Sequence, residues 1–310
     1  MTVRTRFAPS PTGPLHLGHA FSAIVAHDFA RTRGGDFLLR IEDIDRQRAK
    51  PEWEALLLDD LAWLGLTWET PVMRQSERMP AYAGALDTLW RRGLIYPCDC
   101  TRRDIADALS APQEGAAANT PVYGPDGPVY PGTCRGNMAF ERTEPEAHPR
   151  PEGRTLRLDM AAAVRAVEGF GFHPDGDGGG QWLMGWDETG AGPDGQTGRV
   201  GVTPETLMDR VGDVVLARRD FGTSYHLSVV VDDAAQGITH VTRGQDLFEA
   251  TAIHVLLQRL LDLPVPVYHH HRLIRDETGR RLAKREDARA IRVYRDAGAT
   301  PAEIRRMVGL

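Results

Sequence analysis

The sequence predicts an α/β fold built on a doubly wound parallel sheet. Three observations lead to this fold class. Short apolar stretches of strand length alternate with longer stretches of helical periodicity near both ends of the chain. Glycines follow the periodic stretches where helices should end. A long segment rich in glycine, proline and aspartate separates the two ordered parts, so we expect a sheet that is interrupted by an insertion.

The first part of the sheet is predicted within residues 1–93. Pro51 suits the first position of a helix, and Gly65 and Gly93 suit the ends of helices. In order, we expect a strand over residues 3–7, a helix over 16–31, a strand over 37–41, and two helices whose apolar residues span 53–64 and 82–90. This strand–helix–strand–helix order is typical of the beginning of an α/β sheet.

The second part is predicted to begin near residue 213. We expect strands over residues 214–217, 227–231 and 238–241, and a helix over 251–261. Residues 111–153 and 171–201 are rich in glycine and other turn-forming residues, and we expect long surface loops there. The predicted division is the first half of a Rossmann-type domain over 1–93, an inserted subdomain over 94–200, the second half over 201–262, and a short helical, basic C-terminal region over 263–310.

Composition and charge narrow the class of protein. No stretch approaches the roughly 20 apolar residues that span a bilayer, and the N-terminus has no apolar core of a secretory signal. We therefore expect a cytoplasmic protein that does not contact membranes. The net charge of −6 is not typical of a nucleic-acid-binding protein, but residues 272–310 carry eleven Lys and Arg against six Asp and Glu. That basic end suits a phosphate backbone, although a solvated helical face explains the same charge.

The strongest chemical signal is the run from Arg6 to His19, RFAPSPTGPLHLGH. A strand leads into a Pro/Gly loop, and His16 and His19 flank Gly18 where a helix should begin. Backbone N–H groups at a helix N-terminus attract anions, and two imidazoles there can donate hydrogen bonds to a phosphate. Gly18 would let a nucleotide approach the backbone closely. Two histidines near a turn are usually only surface residues, so the prediction depends on the whole run.

This run resembles the ATP-binding motif of class I aminoacyl-tRNA synthetases in its glutamyl-type form. The segment Arg281–Arg285, RLAKR, resembles the lysine loop of that class, with an alanine where a serine is common. Alone it could be a basic surface loop, but its long separation from the first motif favours a shared site. The resemblance implies that His16, His19 and Lys284 stabilise the phosphates of Mg²⁺-bound ATP during adenylyl transfer. It implies further ATP contacts by Gly18, Arg281, Leu282, Ala283 and Arg285.

The choice of amino acid follows from charge. Glutamate carries two carboxylates and one ammonium, so its pocket needs guanidinium groups and a carboxylate. The sequence offers Arg6, Arg243 and Glu42 at predicted strand ends, although Arg6 and Glu42 might simply pair with each other. The resemblance implies a glutamate pocket formed by Arg6, Phe7, Ala8, Pro9, Ser10, Glu42, Tyr225 and Arg243.

The three cysteines, Cys98, Cys100 and Cys134, indicate a metal site. An odd number in a chain without an export signal argues against disulfides, and three thiolates with one further ligand suit tetrahedral zinc. Three unrelated buried thiols remain the alternative. The pattern is similar to the zinc site of the short glutamyl-Q tRNA(Asp) synthetases, which implies that Tyr130, and not Tyr123, is the fourth ligand. Four protein ligands leave no open position, so one structural Zn²⁺ is expected.

The histidine run Tyr268–His271 is a weaker candidate for a metal site. Adjacent residues on a strand point in different directions, so we expect these histidines to serve local packing.

The family resemblance covers nearly the whole chain. The sequence ends soon after the lysine motif, so we expect no anticodon-binding domain, as in the glutamyl-Q tRNA(Asp) synthetases. Membership would imply a monomer that activates L-glutamate with ATP and transfers it to queuosine in the anticodon of tRNA(Asp). The alternatives are a truncated glutamyl-tRNA synthetase that charges an acceptor end, a catalytically silent tRNA-binding relative, and a general nucleotidyltransferase of the same fold.

Overall fold

The structure is a computed structural model that describes residues 2–110, 122–136, 148–174, 180–275 and 289–310. Within these ranges the chain has the predicted α/β architecture. The strands are β1 (Arg4–Phe7), β2 (Asp36–Ile41), β3 (Glu69–Arg74), β4 (Ile95–Cys98), β5 (Tyr123–Gly124), β6 (Gly127–Pro128), β7 (Thr155–Leu158), β8 (Phe170–Pro174), β9 (Gly180–Glu188), β10 (Gly198–Val202), β11 (Val215–Ala217), β12 (His240–Gly244) and β13 (Val267–His271). The principal helices are α1 (Leu17–Arg31), α2 (Pro51–Trp63), α3 (Met79–Arg91), α4 (Arg102–Ser110), α5 (Met160–Ala166), α6 (Tyr225–Ala235), α7 (Thr251–Leu260), α8 (Ile291–Asp296) and α9 (Pro301–Met307).

The first part of the sheet follows the prediction closely. Strands β1, β2 and β3 are parallel and lie in that order. Phe37 and Leu39 of β2 are completely buried and share an apolar core with Ile24 of α1. Gly65 and Gly93 follow α2 and α3 with φ of 77° and 65°, the left-handed conformation that ends helices without a steric penalty.

Strand β1 also lies beside β12, which joins the two parts of the sheet. The N–H of Thr239 donates to the carbonyl of Arg4 at 3.0 Å, and the N–H of Arg4 donates to Thr239 Oγ1 at 2.8 Å. Strand β12 is parallel to β13, which is parallel to β9. The strand order is therefore β3–β2–β1–β12–β13–β9. From β1, the strands of the first part are added toward one edge of the sheet and those of the second part toward the other edge, so the switch point lies between β1 and β12. Doubly wound sheets bind ligands outside the carboxyl ends of the strands at such a switch point.

The segment between the two parts is more ordered than predicted. We expected surface loops over residues 171–201, and this prediction was wrong, because β8, β9 and β10 form an antiparallel group there. The abundant glycine obscured an apolar core in QWLMGW, where Met184 and Trp186 are buried. Because β9 pairs with β13, it extends the sheet of β12 and β13, whereas the predicted division assigned it to the insertion. Residues 111–121 and 137–147 of the other predicted loop lie outside the described residues.

A second prediction was also wrong. Residues 227–231 were expected to be a strand, but they lie in the middle of α6. A short apolar run cannot distinguish a strand from a buried helix. The N-cap of this helix is Ser224, whose hydroxyl accepts from the N–H of Leu227. This correction matters for the site, because α6 carries Asp233 into the interior.

The remaining elements form a small antiparallel sheet and a C-terminal helical pair. The small sheet has the order β11–β7–β4, and β5 pairs with β6 in a short hairpin. The C-terminal helices pack on the first part of the sheet, where Ile291 and Ile304 join the core around Ile24. Arg305 of α9 binds Asp28 of α1 at 2.6 Å. Across the described ranges, no helix has both the length and the apolar character to cross a bilayer.

Candidate active site

A cleft of about 450 Å³ opens at the carboxyl ends of β1 and β12, where the strand order reverses. Every residue predicted to bind the amino acid lies on its wall, together with the predicted nucleotide-binding residues of the N-terminal run. These lining residues are Arg6, Phe7, Ala8, Pro9, Ser10, His16, Gly18, His19, Glu42, Tyr225 and Arg243. Segments that are distant in the chain therefore meet in one cavity.

The two histidines lie at the N-terminus of α1. Nδ1 of His16 accepts from the N–H of Gly18 at 3.1 Å, and Nδ1 of His19 accepts from the N–H of His16 at 3.2 Å. Their rings stack with centroids 3.8 Å apart. Because each Nδ1 is an acceptor, the proton of each neutral imidazole is on Nε2. Two Nε2–H donors beside a helix N-terminus are suited to binding a phosphate.

The predicted lysine loop, residues 281–285 with Lys284, lies outside the described residues. The described residues before it line the cleft, and the first ones after it lie beside His16. Leu273 and Ile274 line the cavity, and Ala290 forms a β-bridge with His16.

Arg6 and Glu42 do not pair with each other. Arg6 binds Asp233 through two hydrogen bonds of 2.9 and 3.3 Å, while Glu42 accepts from Arg40 at 3.3 Å. Arg40 is completely buried and also donates to Asp233 at 2.7 Å. Burial alone would raise the pKa of Asp233, but Arg6 and Arg40 together hold that pKa below its usual value. Asp233 is therefore a carboxylate that fixes two guanidinium groups.

Glu42 is the predicted acidic group on the cleft wall. Burial raises the pKa of Glu42 above its usual value, although Arg40 and Arg6 favour the charged form. A cation that arrived beside Glu42 would shift it further toward the carboxylate. The residue is therefore suited to receive the ammonium group of an amino acid.

Arg243, the other predicted guanidinium on the wall, is held by groups of a different kind. Its Nε donates to His270 Nε2 at 3.0 Å, its Nη1 to His254 Nδ1 at 2.9 Å, and its Nη2 to Thr251 Oγ1 at 2.7 Å. Burial, reinforced by the charge of Arg243, lowers the pKa of His254 well below 6.5. Arg243 is thus bound by neutral acceptors.

Several of these supporting residues were missed at the sequence level. A signal existed for Arg40, a charged residue inside the apolar strand FLLRI, and for Asp233, one of two adjacent acids after an apolar run. His254 lies in an apolar helix pattern, where a histidine is an exception. Glu188 gave no signal, because it lies in the segment that was interpreted as loop.

The consecutive histidines of β13 make polar contacts with separate groups. His269 contacts Thr189 at 3.1 Å, His270 contacts Glu188 at 2.5 Å, and His271 contacts Ser22 at 3.0 Å. The three rings therefore have different partners on different elements.

The three cysteines converge at one point. The sulfur atoms of Cys98, Cys100 and Cys134 all lie within 4.8 Å of one another, and Tyr130 Oη lies 3.4 Å from Cys98 Sγ and 3.3 Å from Cys100 Sγ. Ligands at about 2.3 Å from a tetrahedral metal are about 3.8 Å apart, so this set fits a metal ion. Tyr123, by contrast, is 69% exposed.

The surroundings of the cluster favour a thiolate at Cys134 but not at Cys100. Burial raises the pKa of Cys100 to about 11. Burial acts in the same direction on Cys134, but hydrogen bonding from Tyr130 and the backbone outweighs it and brings the pKa to about 7. The guanidinium of Arg157 lies 3.9 Å from the centre of the Tyr130 ring and donates to Cys98 Sγ at 3.4 Å. A positive group thus lies beside the sulfur atoms, as expected around metal-binding thiolates.

Comparison with known proteins identifies the family. The family model of the catalytic domain of class I tRNA synthetases of the E and Q type matches residues 2–123 and 188–310. The chain belongs to this family. As a class I synthetase of this type, it is a ligase with the α/β catalytic fold of that class. The unmatched residues 124–187 contain Tyr130 and Cys134 of the metal candidate.

Individual relatives agree with this assignment. The class I synthetase is 62% identical over 309 residues to the glutamyl-Q tRNA(Asp) synthetase of Rhodobacter capsulatus, and the match covers 99% of both chains. It is 39% identical to the glutamyl-Q tRNA(Asp) synthetase of Nocardia farcinica, with 96% of this chain and 81% of the relative covered. Among solved structures, the glutamate-tRNA synthetase of Elizabethkingia anophelis matches 100% of this chain with a TM-score of 0.72 and 25% identity. The class I synthetase spans 62% of the length of that protein.

Proposed function

We propose that this protein acts as a glutamyl-Q tRNA(Asp) synthetase. It would activate L-glutamate with ATP and transfer the glutamyl group to queuosine in the anticodon of tRNA(Asp). The observation that carries the proposal is that Arg6, Arg243 and Glu42 line the same cleft as the histidine pair of α1. Relatives that carry this name match nearly the whole chain, which supports the same activity.

The amino-acid part of the cleft suits glutamate. Arg6 and Arg243 offer guanidinium groups to the two carboxylates, and Glu42 offers a carboxylate to the ammonium group. Phe7, Ala8, Pro9, Ser10 and Tyr225 complete the wall. A general nucleotidyltransferase would have no use for this set of charges beside its nucleotide.

The nucleotide part suits the first chemical step. The α-carboxylate of glutamate attacks the α-phosphorus of ATP, the bond to the bridging oxygen breaks, and pyrophosphate leaves. Nε2–H groups of His16 and His19, with the ammonium of Lys284, stabilise the negative charge on the phosphates, and Mg²⁺ enters as the complex with ATP. Leu273 and Ile274, before the lysine segment, line the cleft, and Ala290, after it, pairs with His16; both observations support this role for Lys284.

The second step forms the ester. A hydroxyl of queuosine attacks the acyl carbon of the bound glutamyl-adenylate, its proton passes to the phosphate of the adenylate, and AMP leaves with the electrons of the broken acyl–oxygen bond. Positioning in the cleft is expected to provide the main acceleration, because the reacting groups are held in a near-attack arrangement.

The metal candidate has a structural role in this proposal. Cys98, Cys100, Tyr130 and Cys134 would hold one Zn²⁺ with four protein ligands, which leaves no position for substrate. The ion would therefore fix the end of β4 to the loop around Tyr130 and would take no part in the chemistry.

Two measurements test the proposal. Exchange of labelled pyrophosphate into ATP should depend on glutamate, and not on glutamine or aspartate, in the absence of tRNA. After reaction with tRNA(Asp), labelled glutamate should be recovered on the anticodon nucleoside, and only when queuosine is present. Label on the 3′-terminal adenosine would contradict the proposal and favour a synthetase that charges an acceptor end. Absence of exchange would instead favour a catalytically silent tRNA-binding relative.

A further inference from the structure

The guanidinium of Arg243 is buried in an unusual setting. The residue is only 6% exposed and lines the cleft. No carboxylate oxygen among the described residues lies within the 4.0 Å that defines an ion pair with it, whereas Arg6, equally buried, is bound by both oxygens of Asp233. A buried charge normally has an ionic partner. The positive charge of Arg243 is therefore not neutralised by direct contact within the described part of the protein.

The partners of Arg243 fix the tautomers of two histidines. A guanidinium has only donors, so His270 Nε2 and His254 Nδ1 must accept its hydrogen bonds. The proton of His270 is then on Nδ1, which faces Glu188 at 2.5 Å. The proton of His254 is on Nε2, which faces His226 Nδ1 at 3.1 Å. Both imidazoles are therefore neutral while they hold Arg243.

His270 also lies between Arg243 and the carboxylate of Glu188, since it contacts both. The two oxygens of Glu188 are occupied by the backbone N–H of His270 at 2.9 Å, the backbone N–H of Gly190 at 2.8 Å and the imidazole of His270. The anion is thus held one ring away from the guanidinium. Direct contact between them would satisfy Arg243 internally and weaken its attraction for a ligand carboxylate.

We propose that His254 and His270 are positioning residues that make Arg243 selective for a carboxylate substrate. They hold the guanidinium in place as neutral acceptors and leave its charge for the ligand in the cleft. Thr251 Oγ1 supports Arg243 in the same way, as a third neutral acceptor. This inference rests on the proposed function, because it assumes that the ligand is an acidic amino acid.

A pair of nearly isosteric substitutions separates charge from shape. His254→Gln keeps a neutral acceptor near Arg243, whereas His254→Glu places a carboxylate there. We expect the KM for glutamate in pyrophosphate exchange to rise roughly 30-fold in His254→Glu and to stay within about threefold in His254→Gln. The KM for ATP should be the same in both variants. Preference for glutamate over glutamine should fall at least about tenfold in His254→Glu alone.

A second pair of variants, at Thr251, tests the same inference if the His254 variants do not fold. Thr251→Asn and Thr251→Asp repeat the comparison on Nη2 of Arg243, and the thermal shift produced by ATP reports whether each variant retains a folded cleft. The same increase in KM for glutamate in the Asp variant would support the inference. Equal glutamate KM values within both pairs would overturn it and leave the wild-type activity, and hence the proposed function, intact. A wild-type protein that does not activate glutamate would overturn both.

Discussion

Asp233 accepts hydrogen bonds from two guanidinium groups that have almost no contact with solvent, those of Arg6 and Arg40. Arg40 in turn reaches Glu42 on the cleft wall. A single residue of α6 thus fixes one side of the cleft. Its contribution to stability should be large, because removing one partner of a buried ion pair leaves an uncompensated charge.

Asp233→Asn should therefore lower the free energy of unfolding by about 3–5 kcal/mol at pH 7. Urea denaturation followed by circular dichroism measures this change. Asp220→Asn is the matched control, since Asp220 is exposed, and it should change stability by less than about 0.5 kcal/mol. Similar unfolding free energies for the two variants would show that Asp233 does not hold the arginines as inferred.

The same variant has a pH signature. The arginines keep the pKa of Asp233 below its usual value in the folded protein. The stabilising contribution is therefore complete above the unfolded pKa of about 3.9, and it is lost as the pH falls through the lower, folded pKa. The stability difference between wild type and Asp233→Asn should shrink in that acidic range.

Sequence alone predicted the residues on the cleft wall but not the residues that hold them. The run from Arg6 to His19 is local, so its motif is visible in the sequence. The partners of Arg6 and Arg40 are on α6, 227 and 193 residues away in the chain, and no local pattern reveals such a pairing. The alternative pairing of Arg6 with Glu42 was plausible only while the position of α6 was unknown.

At the scale of elements, the errors also have physical causes. Strands and helices with clear periodicity and a glycine at the end, such as α2 and α3, were predicted within a few residues. Strand β9 was missed because its glycines resemble a loop, although Met184 and Trp186, two residues apart as on one face of a strand, are both buried. Helix α6 was mistaken for a strand because it is buried on more than one side, so it lacks the polar stripe of a surface helix.

The metal candidate joins two elements, the end of β4 and the segment that contains Tyr130. Tyr130→Phe removes the phenolic oxygen and leaves the three thiols in place. If that oxygen is the fourth ligand, the variant should transfer zinc to a chelator at least about tenfold more readily than wild type. Metal analysis by mass spectrometry and a colorimetric chelator measure the content and the transfer.

Tyr123→Phe is the matched control for this prediction. Tyr123 is the other tyrosine between Cys100 and Cys134, and its side chain is 69% exposed. The Tyr123→Phe variant should retain zinc as well as the wild-type protein does. Equal retention in the Tyr130 and Tyr123 variants would remove Tyr130 from the ligand set and leave the three cysteines as candidates.

At the scale of the whole molecule, the cations of the basic C-terminal region can either pair with acidic residues of the protein or bind a phosphate backbone. In its described part, Arg295 binds Asp59 of α2 at 2.7 Å and Arg305 binds Asp28 of α1 at 2.6 Å. These arginines therefore pair the last two helices with α2 and α1. Part of the positive charge noted in the sequence is thus paired within the protein, which limits the number of cations that remain for a phosphate backbone.

Of the two steps of the proposed reaction, only the rate of transfer to tRNA should depend strongly on the salt concentration. Transfer of glutamate to subsaturating tRNA should slow by about an order of magnitude between about 50 and 200 mM KCl, because a few phosphate contacts are lost to counterions. Glutamate-dependent pyrophosphate exchange without tRNA should change much less, since its charged groups lie inside the cleft, where screening is weak. Parallel assays of both steps over the same salt series make the comparison. An equal salt dependence of the two steps would mean that transfer is not governed by contacts with the tRNA backbone.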